Sequence, residues 1–508
     1  MLAKINSAAT IGLDGVLIDV EVDVASRGLP SLSIVGLPDK AVEEAKDRVR
    51  TALHNVGTQF PPKKITINLA PADIPKEGPG YDLPIAVGIL LAAGEFDARV
   101  DNSIFVGELS LDGSVRHAKG ILPIVLTAKK YGIKKMYIPK SNAREAAVIR
   151  DIEIFPVNSL KELINHLTNV VPILPQKQIE FVSIVREEKS DFDMCDVHGQ
   201  EQAKRALEIA AAGGHNVFMN GAPGSGKTML ARTFPTILPS LTEKESLEVT
   251  RIYSITGSIS SGKTLITNRP FRSPHHTTSR IGLIGGGAKP KPGEISLAHR
   301  GVLFLDEFPE FPRHVLESLR QPIEDGYVQI SRAAGTVVFP TKFTLIAAAN
   351  PCPCGYFLSK KRECKCLSGN INRYQKKVSG PIIDRIDLHV QVSEVEISKL
   401  SKENTNTEKS AEIRNRVEKS RLMQLDRYSG ISVIYNSELS TKQVKIFCKL
   451  EKDVRALLTE ATAKLGLTAR SYFKIIKISR TIADLDGEGQ IKANHIAEAL
   501  QYRPQQQN

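Results

Sequence analysis

GAPGSGKT, residues 221–228, has the spacing of a phosphate-binding loop: a glycine, four residues, then Gly-Lys-Thr. The same spacing recurs in GSISSGKT at 257–264, so the pattern alone leaves two candidate nucleotide sites. Context separates them. A working loop follows a buried strand and opens a helix, which turns backbone N–H groups and the helix N-terminus toward the phosphates. HNVFMN precedes Gly221 as an apolar, strand-like run, and MLARTFPTIL after Thr228 begins as a helix. SLEVTRIYSIT before Gly257 offers no strand that ends at the loop. The prolines at 270 and 274 keep the segment after Thr264 from being helical. The first match is the expected ATP site, with Gly221, Ala222, Pro223, Gly224, Ser225, Gly226, Lys227 and Thr228 around the phosphates. The second is read as a coincidence of spacing in a basic loop.

A phosphate loop requires partners downstream, and suitable residues follow in order. GVLFLDEF at 301–308 reads as a buried strand ending in two carboxylates. Asp306 would order Mg²⁺ together with Thr228, and Glu307 would polarise the attacking water. TLIAAANP at 344–351 is a second apolar strand, ending in Asn350, which is suited to positioning that water. DRID at 384–387 offers Arg385 to reach a neighbouring subunit's phosphate. LTARSYFKII at 467–476 offers Arg470 at a helix start, to sense the nucleotide from a C-terminal helical lid. DVHGQEQAKRAL at 196–207 is expected beside the adenine.

The chain has 508 residues, enough for two to four domains. Its longest apolar run, LPIAVGILLAAG at 83–94, is too short to span a bilayer and suits a buried helix. MLAKINSAAT lacks the apolar core of a secretory signal. The expectation is a cytoplasmic protein with no membrane partner. A net charge of +12 favours a polyanionic partner, nucleic acid or anionic lipid.

Four of the six cysteines crowd into CPCGYFLSKKRECKC, which argues for a metal or for local chemistry rather than a disulfide framework. Cys352, Cys354, Cys364 and Cys366 would form a closed structural Zn²⁺ site as four thiolates; the alternative is unpaired thiols in a loop. Residues 355–380 carry seven Lys/Arg against one Glu, as do residues 263–300. A basic, glycine-rich segment inside an ATPase core suits a pore loop that grips nucleic acid, with a solvated charged face as the bland alternative. Arg269, Arg272, Arg280, Lys289 and Lys291 are the candidate contacts there. VQISRAAGTVVFPTKFTLI at 328–346 reads as a hairpin about Ala-Ala-Gly, with Arg332 near its tip and Lys342 on its far side. The His275–His276 pair lacks a third ligand at helical spacing and is assigned no metal. Residues 396–445 read as a charged loop leading into a surface helix, and the tail RPQQQN as disordered.

Ahead of the ATPase, strand-like runs (VLIDVEVDV, KITINLA, IEIFPV) alternate with helix-like ones (KAVEEAKDRVRTALHNV, LPIVLTAKKYG). DIPKEGPGYDLP at 73–84 and GELSLDGSVRHAKGIL at 107–122 resemble the proteolytic domain of Lon-type proteases, a ribosomal-S5-domain-2-like α/β fold. That family uses a serine nucleophile and a lysine base. Alignment of the motifs puts Gly80 and Leu122 at those two positions, while Ser114 and Lys119 lie nearby without replacing them. The resemblance implies a retained fold without the protease chemistry, its remaining roles being subunit assembly or nucleic-acid contact.

The phosphate loop and its partners resemble the AAA+ ATPases. RPFRSPHHTTS at 269–279, GGG at 285–287, PGEISLAHRGVLFLDEF at 292–308 and AAANPCPCG at 347–355 are similar to the magnesium-chelatase-like branch. With the Lon-like front, the whole chain resembles the ComM/YifB family of bacterial competence-related AAA+ proteins. The resemblance implies an α/β architecture with a Lon-protease-like domain at 1–170, a linker at 171–190, an AAA+ core with a parallel sheet at 191–395, and a helical lid at 396–508. It also implies a homo-oligomeric, hexameric DNA helicase that promotes branch migration on single-stranded and branched DNA during natural transformation, alongside recombination proteins. The alternative it leaves is an ATP-driven remodeller of protein partners of the magnesium-chelatase type, independent of DNA.

Overall fold

The computed structural model describes residues 1–184, 191–259, 264–288, 290–332, 335–357, 359, 362–394 and 407–504. The chain divides into two compact units: residues 1–187 with 242–267, and residues 188–241 with 268–508. Residues 242–267 thus lie between two parts of the ATPase sequence and fold with the N-terminal unit.

The N-terminal unit is built on a seven-stranded mixed sheet. Its spatial order is Ser31–Val35, Lys64–Ala70, Asp14–Val24, Leu2–Ile11, Ser103–Phe105, Lys135–Pro139 and Glu153–Val157. The strand Asp14–Val24 alternates strictly, with Ile18, Val20, Val22 and Val24 turned inward, as a half-buried strand requires. The apolar run at 83–94 forms the helix Asp82–Ala93, buried on nearly every side, with Gly94 in the left-handed conformation as its cap. Gly88 lets this helix lie against the sheet, because a Cβ there would meet Val22 Cγ2 at 2.6 Å.

The inserted segment is integral to this unit. Thr242 and Glu245 form a capping box that starts the helix Glu243–Thr256. The Ser254 hydroxyl donates to Glu145 Oε1 at 2.6 Å, and the Gly120 N–H donates to the Ser254 carbonyl at 3.0 Å. Leu265 is buried in the same apolar cluster as Ile121, Leu122 and Val125.

The second unit holds a five-stranded, all-parallel sheet ordered Phe271–Arg272, Val302–Leu305, Thr344–Ala349, Val217–Asn220 and Leu388–Gln391. Buried on both faces, Val302–Leu305 and Thr344–Ala349 are continuous apolar runs without alternation. The helices Glu201–Gly213, Lys227–Ile237, Ser410–Arg427, Lys452–Lys464, Ala469–Leu485 and Ala493–Gln501 are the longer helices among the described residues of this unit. The helix Ser410–Arg427 is more than the surface helix the charge pattern suggests. It sends Ile413 and Val417 into the main apolar cluster of the unit, while its arginines grip the ends of neighbouring elements, as in Arg421 with the Ala211 carbonyl at 2.6 Å. The residues expected to be a loop before it, 395–406, and most of the tail expected to be disordered, 505–508, lie outside the described residues.

Asp82 is fully buried in the N-terminal unit and is held by Arg48 at 2.7 and 2.9 Å and by the Leu109 N–H at 3.1 Å. Removal of one partner from a buried pair leaves an uncompensated charge, at a cost of roughly 3 kcal/mol. Arg48→Met should lower the stability of this unit by about that amount in a denaturant titration.

Candidate nucleotide site and basic hairpin

The strand Val217–Asn220 ends at Gly221, and the helix Lys227–Ile237 opens directly from the loop, with Gly226 at φ 92° as its N-cap. Gly224 also has a positive φ of 74°, a conformation that side chains disfavour. Gly221 is required for a different reason: a Cβ there would lie 2.4 Å from the Val392 carbonyl. The resulting curl of N–H groups ahead of a helix N-terminus is an anion cradle.

Lys227 lies across this cradle, donating to the carbonyls of Gly221 at 2.6 Å and Ala222 at 2.9 Å and to Asn350 Oδ1 at 3.2 Å. Burial lowers its pKa from the ordinary lysine value. Thr228 Oγ1 donates to Asp306 Oδ2 at 3.0 Å. A hydroxyl and a carboxylate converging beside a phosphate cradle are the donor set that Mg²⁺ takes, so these residues fit that ion. Glu307 follows in the left-handed conformation, φ 51°, which projects it from the end of the strand Val302–Leu305. Asn350 ends the adjacent strand Thr344–Ala349. In the DVHGQEQ segment, Gln200 Nε2 reaches the Ser225 carbonyl at 3.2 Å. The parallel sheet therefore brings Lys227, Thr228, Asp306, Glu307 and Asn350 together at the C-terminal edges of three neighbouring strands.

The second Gly-Lys-Thr is built differently. A helix precedes it, and Gly257 serves as that helix's left-handed C-cap at φ 69°. Thr264 is buried in the N-terminal unit, and Lys263 lies outside the described residues. The spacing matches a phosphate loop, but no strand feeds it.

Arg385 and Arg470 lie at the opposite end of the strand Val217–Asn220. Asn216, which precedes that strand, donates from Nδ2 to the Arg385 carbonyl at 3.3 Å and accepts from the Asp387 N–H at 3.0 Å. Arg470 meets Arg385 through a shared carboxylate, Glu324, at 2.6 and 2.8 Å. Both arginines line a cleft of about 800 Å³ with Arg269, Arg300, Lys342 and Lys474. Neither residue lies at the phosphate-loop edge of the sheet.

Two residues at this site escape the sequence reading. His276 Nδ1 lies 3.1 Å from Glu307 Oε2, and its ring packs against His275 with centroids 4.1 Å apart. A histidine pair just after a short strand was the signal, and the partner of His276 is the carboxylate of Glu307. Glu324 carried no signal, because its role depends on two arginines distant in sequence.

The four clustered cysteines converge as expected. Cys352 Sγ lies 3.3 Å from Cys354 Sγ and 3.7 Å from Cys364 Sγ, and all four sulfurs fall within 4.8 Å of one another. Tetrahedral zinc at ~2.3 Å from each thiolate separates sulfurs by about 3.8 Å, so the set fits that ion. The Tyr356 N–H bonding to Cys354 is the main reason that thiol is drawn down to about 6. The loop abuts the nucleotide cradle: a Cβ on Gly355 would lie 2.5 Å from Pro223.

Tyr327–Arg332 pairs antiparallel with Gly335–Pro340, the hairpin expected from the alternation; its turn residues 333–334 lie outside the described residues. Arg332 donates to the Gly287 carbonyl at 3.2 Å, beside a second small ribbon of Gly285–Gly286 with Lys291–Pro292. Arg280, Lys291 and Arg332 are exposed. The remaining basic candidates are engaged elsewhere. Arg269 caps the carbonyls of Pro239 and Arg300, Arg272 pairs with Glu294 at 2.6 Å, and Lys342 pairs with Glu438 at 3.3 Å. Lys289 lies outside the described residues. In the N-terminal unit, Gly80 sits in the turn Pro79–Tyr81 and Leu122 is fully buried. Ser114 bonds Asp112, and Lys119 covers Gly257.

This arrangement of sheet, cradle and acidic strand end defines an AAA+ nucleotide-binding protein. Family models for the magnesium chelatase subunit ChlI match residues 20–142, 193–400 and, for its C-terminal part, 407–503. The chain is 43% identical over 504 residues to competence protein ComM of Haemophilus influenzae, covering 99% of this chain and 97% of that one. It is 41% identical over 503 residues to the uncharacterized protein YifB of Escherichia coli, with the same coverage. Lon protease 2 of Bacillus subtilis is 28% identical over 183 residues, 32% of each chain. The chain belongs to the ComM/YifB family of magnesium-chelatase-like AAA+ proteins, with a Lon-like α/β domain, a parallel-sheet AAA+ core and a C-terminal helical region. Among the described residues no helix is long and apolar enough to cross a membrane.

Loss of a lysine that meets phosphate removes charge-assisted hydrogen bonds, so Lys227→Ala should weaken ATP binding by about 10- to 100-fold in a fluorescent-nucleotide titration. Lys263→Ala should leave the same constant unchanged.

Proposed function

We propose that this chain is the subunit of a hexameric AAA+ ring that hydrolyses ATP to drive DNA through a central channel. In this reading the ring acts as a helicase promoting branch migration during natural transformation and homologous recombination, in the cytoplasm. The observation that carries it is the separation of the catalytic groups. The phosphate cradle with Asp306, Glu307 and Asn350 lies at one end of the strand Val217–Asn220, and Arg385 and Arg470 lie at the other. A chain whose nucleotide site and charge-stabilising arginines face opposite ways completes its site only through a neighbour, and a closed ring satisfies every copy.

In the assembled site, Lys227 leaves the carbonyls of Gly221 and Ala222 and turns to the phosphates. Asn350 positions the water, and Glu307 takes its proton. Arg385 and Arg470 of the neighbouring subunit offset the charge that develops on the γ-phosphoryl group. When bound between Thr228 and Asp306, Mg²⁺ supplies further charge neutralisation.

DNA is the favoured cargo because Arg280, Lys291 and Arg332 are exposed basic residues on and beside one hairpin. A basic groove without base-edge readers suits grip on a backbone. The name of the Haemophilus relative, a competence protein, supports the same task. In this reading Cys352, Cys354, Cys364 and Cys366 hold one structural Zn²⁺ that stiffens the loop against Pro223.

The test is ATP-dependent displacement of a labelled strand from a branched DNA. The wild type should displace it, and Glu307→Gln should bind ATP and assemble without displacement or turnover. Intact ATPase that DNA does not stimulate, with no displacement, would instead favour a remodeller of protein partners, consistent with the magnesium chelatase family models. Elemental analysis should find about one zinc per chain, lost when the four clustered cysteines become serine.

A further inference from the structure

Glu324 stands at the last turn of the helix Arg320–Asp325, which Gly326 ends in the left-handed conformation. One of its carboxylate oxygens accepts from Arg470 at 2.6 Å and the other from Arg385 at 2.8 Å. Burial works against its charge, but the two guanidinium groups hold its carboxyl below the ordinary glutamate range. Arg385 is otherwise fixed by one bond to the Pro381 carbonyl at 2.6 Å. Each arginine thus gives a terminal nitrogen to Glu324, and a γ-phosphate that sought those nitrogens would compete with the carboxylate for them. A guanidinium fork cannot direct the same N–H groups to a carboxylate and to a phosphate at once.

The chain direction adds a second consequence. Only Asp325 and Gly326 separate Glu324 from Tyr327, the first residue of the basic hairpin. The far strand of that hairpin returns to the same place, where the Thr341 N–H donates to the Gly326 carbonyl at 2.8 Å. The base of the hairpin is therefore fastened next to the carboxylate that holds both arginines. Nothing comparable joins the hairpin to this chain's own phosphate loop among the described residues.

We propose that Glu324 competes with the neighbouring subunit's γ-phosphate for Arg385 and Arg470, and so couples occupancy of that site to the position of the hairpin that carries Arg332. Without nucleotide next door, Glu324 holds both arginines and the hairpin base stays in the arrangement seen here. When the γ-phosphate arrives, the arginines transfer to it, Glu324 is released, and the helix end that precedes the hairpin is free to move. After hydrolysis the weaker phosphate ligand departs and the carboxylate recaptures the pair. Glu324 is a positioning residue in this scheme, since it touches neither substrate nor the reacting atoms. The inference rests on the reading that the two arginines serve a neighbour's nucleotide.

The experiment compares Glu324→Gln, Arg385→Ala and wild type by steady-state ATPase, with and without branched DNA, on proteins checked for ring size. The isosteric Gln removes the competing charge, so KM for ATP should fall by about threefold or more, the scale of a partly exposed charge-assisted bond. The stimulation of kcat by DNA should collapse, because the hairpin is no longer tied to the arginines. A carboxylate that merely scaffolds the arginines would give the opposite sign, a KM that rises as it does for Arg385→Ala. A raised or unchanged KM in Glu324→Gln, or DNA stimulation equal to wild type, would overturn the coupling. Full turnover by Arg385→Ala would overturn the underlying reading of the arginines, a separate failure. If Glu324→Gln does not assemble, Glu324→Asp gives the same comparison. Its shorter reach cannot span both arginines, and KM should again fall.

Discussion

A parallel strand has two different ends, and the chemistry of this protein is divided between them. Val217–Asn220 carries the phosphate loop on its C-terminal side and, through Asn216, the segment of Arg385 on the other. Four strand residues span roughly 13 Å. The strand is interior to the sheet and pairs on both sides, so it cannot bend to bring its ends together. If Arg385 and Arg470 serve a γ-phosphate, as proposed, this polarity keeps a lone subunit from bringing them to its own. It also leaves a cleft of about 800 Å³ on the far edge, lined by Arg385, Arg470 and Lys474 together with Glu324, Asp384 and Asp387, the surface to which the proposed neighbour would present its nucleotide. In the proposed ring, control by assembly would follow from sheet topology.

The energetic logic of the resting site is consistent with that division. Lys227 satisfies itself with two backbone carbonyls and Asn350, Thr228 with Asp306, and Glu307 with His276. Arg385 and Arg470 satisfy themselves with Glu324. Each group is paired within the chain, and in the proposed mechanism ATP or its metal would take the place of those partners. Exchange of one charged partner for another changes solvation little, so the net free energy of nucleotide binding can be modest while the rearrangement of side chains is large. The proposed motor would need this property, because each site must be loaded and emptied in turn.

Most of the fold was legible because its signals are local. Alternation in VLIDVEVDV, the uninterrupted apolar run at 83–94, and two apolar strands ending in acidic or amide residues each follow from burial on one or both faces. The different settings of the two Gly-Lys-Thr stretches were legible from the same logic: a strand before and a helix after the first, and no strand before the second. The structure adds the reason the second one exists, with Gly257 as a helix C-cap in a segment that completes the N-terminal unit. Net basicity was a poorer guide. Arg269, Arg272 and Lys342 belong to basic stretches in sequence, yet each is committed to carbonyls or carboxylates within the same unit. Charge counts cannot see partners that arrive from other parts of the chain. Glu324 was invisible for the same reason, and the His275–His276 pair was visible without its partner Glu307, since both meanings come from tertiary pairing.

The claim that the site is shared between subunits can be tested by mixing two inactive variants. Lys227→Ala abolishes the cradle but keeps its arginines, whereas Arg385→Ala keeps the cradle but loses an arginine. Each should be nearly inactive alone. If the arginines act on a neighbour, ATPase activity should reappear on mixing, because some interfaces then join an intact cradle to an intact Arg385. A mixture as inactive as its components, with mixed rings verified to form, would contradict the account and return both arginines to the chain's own nucleotide.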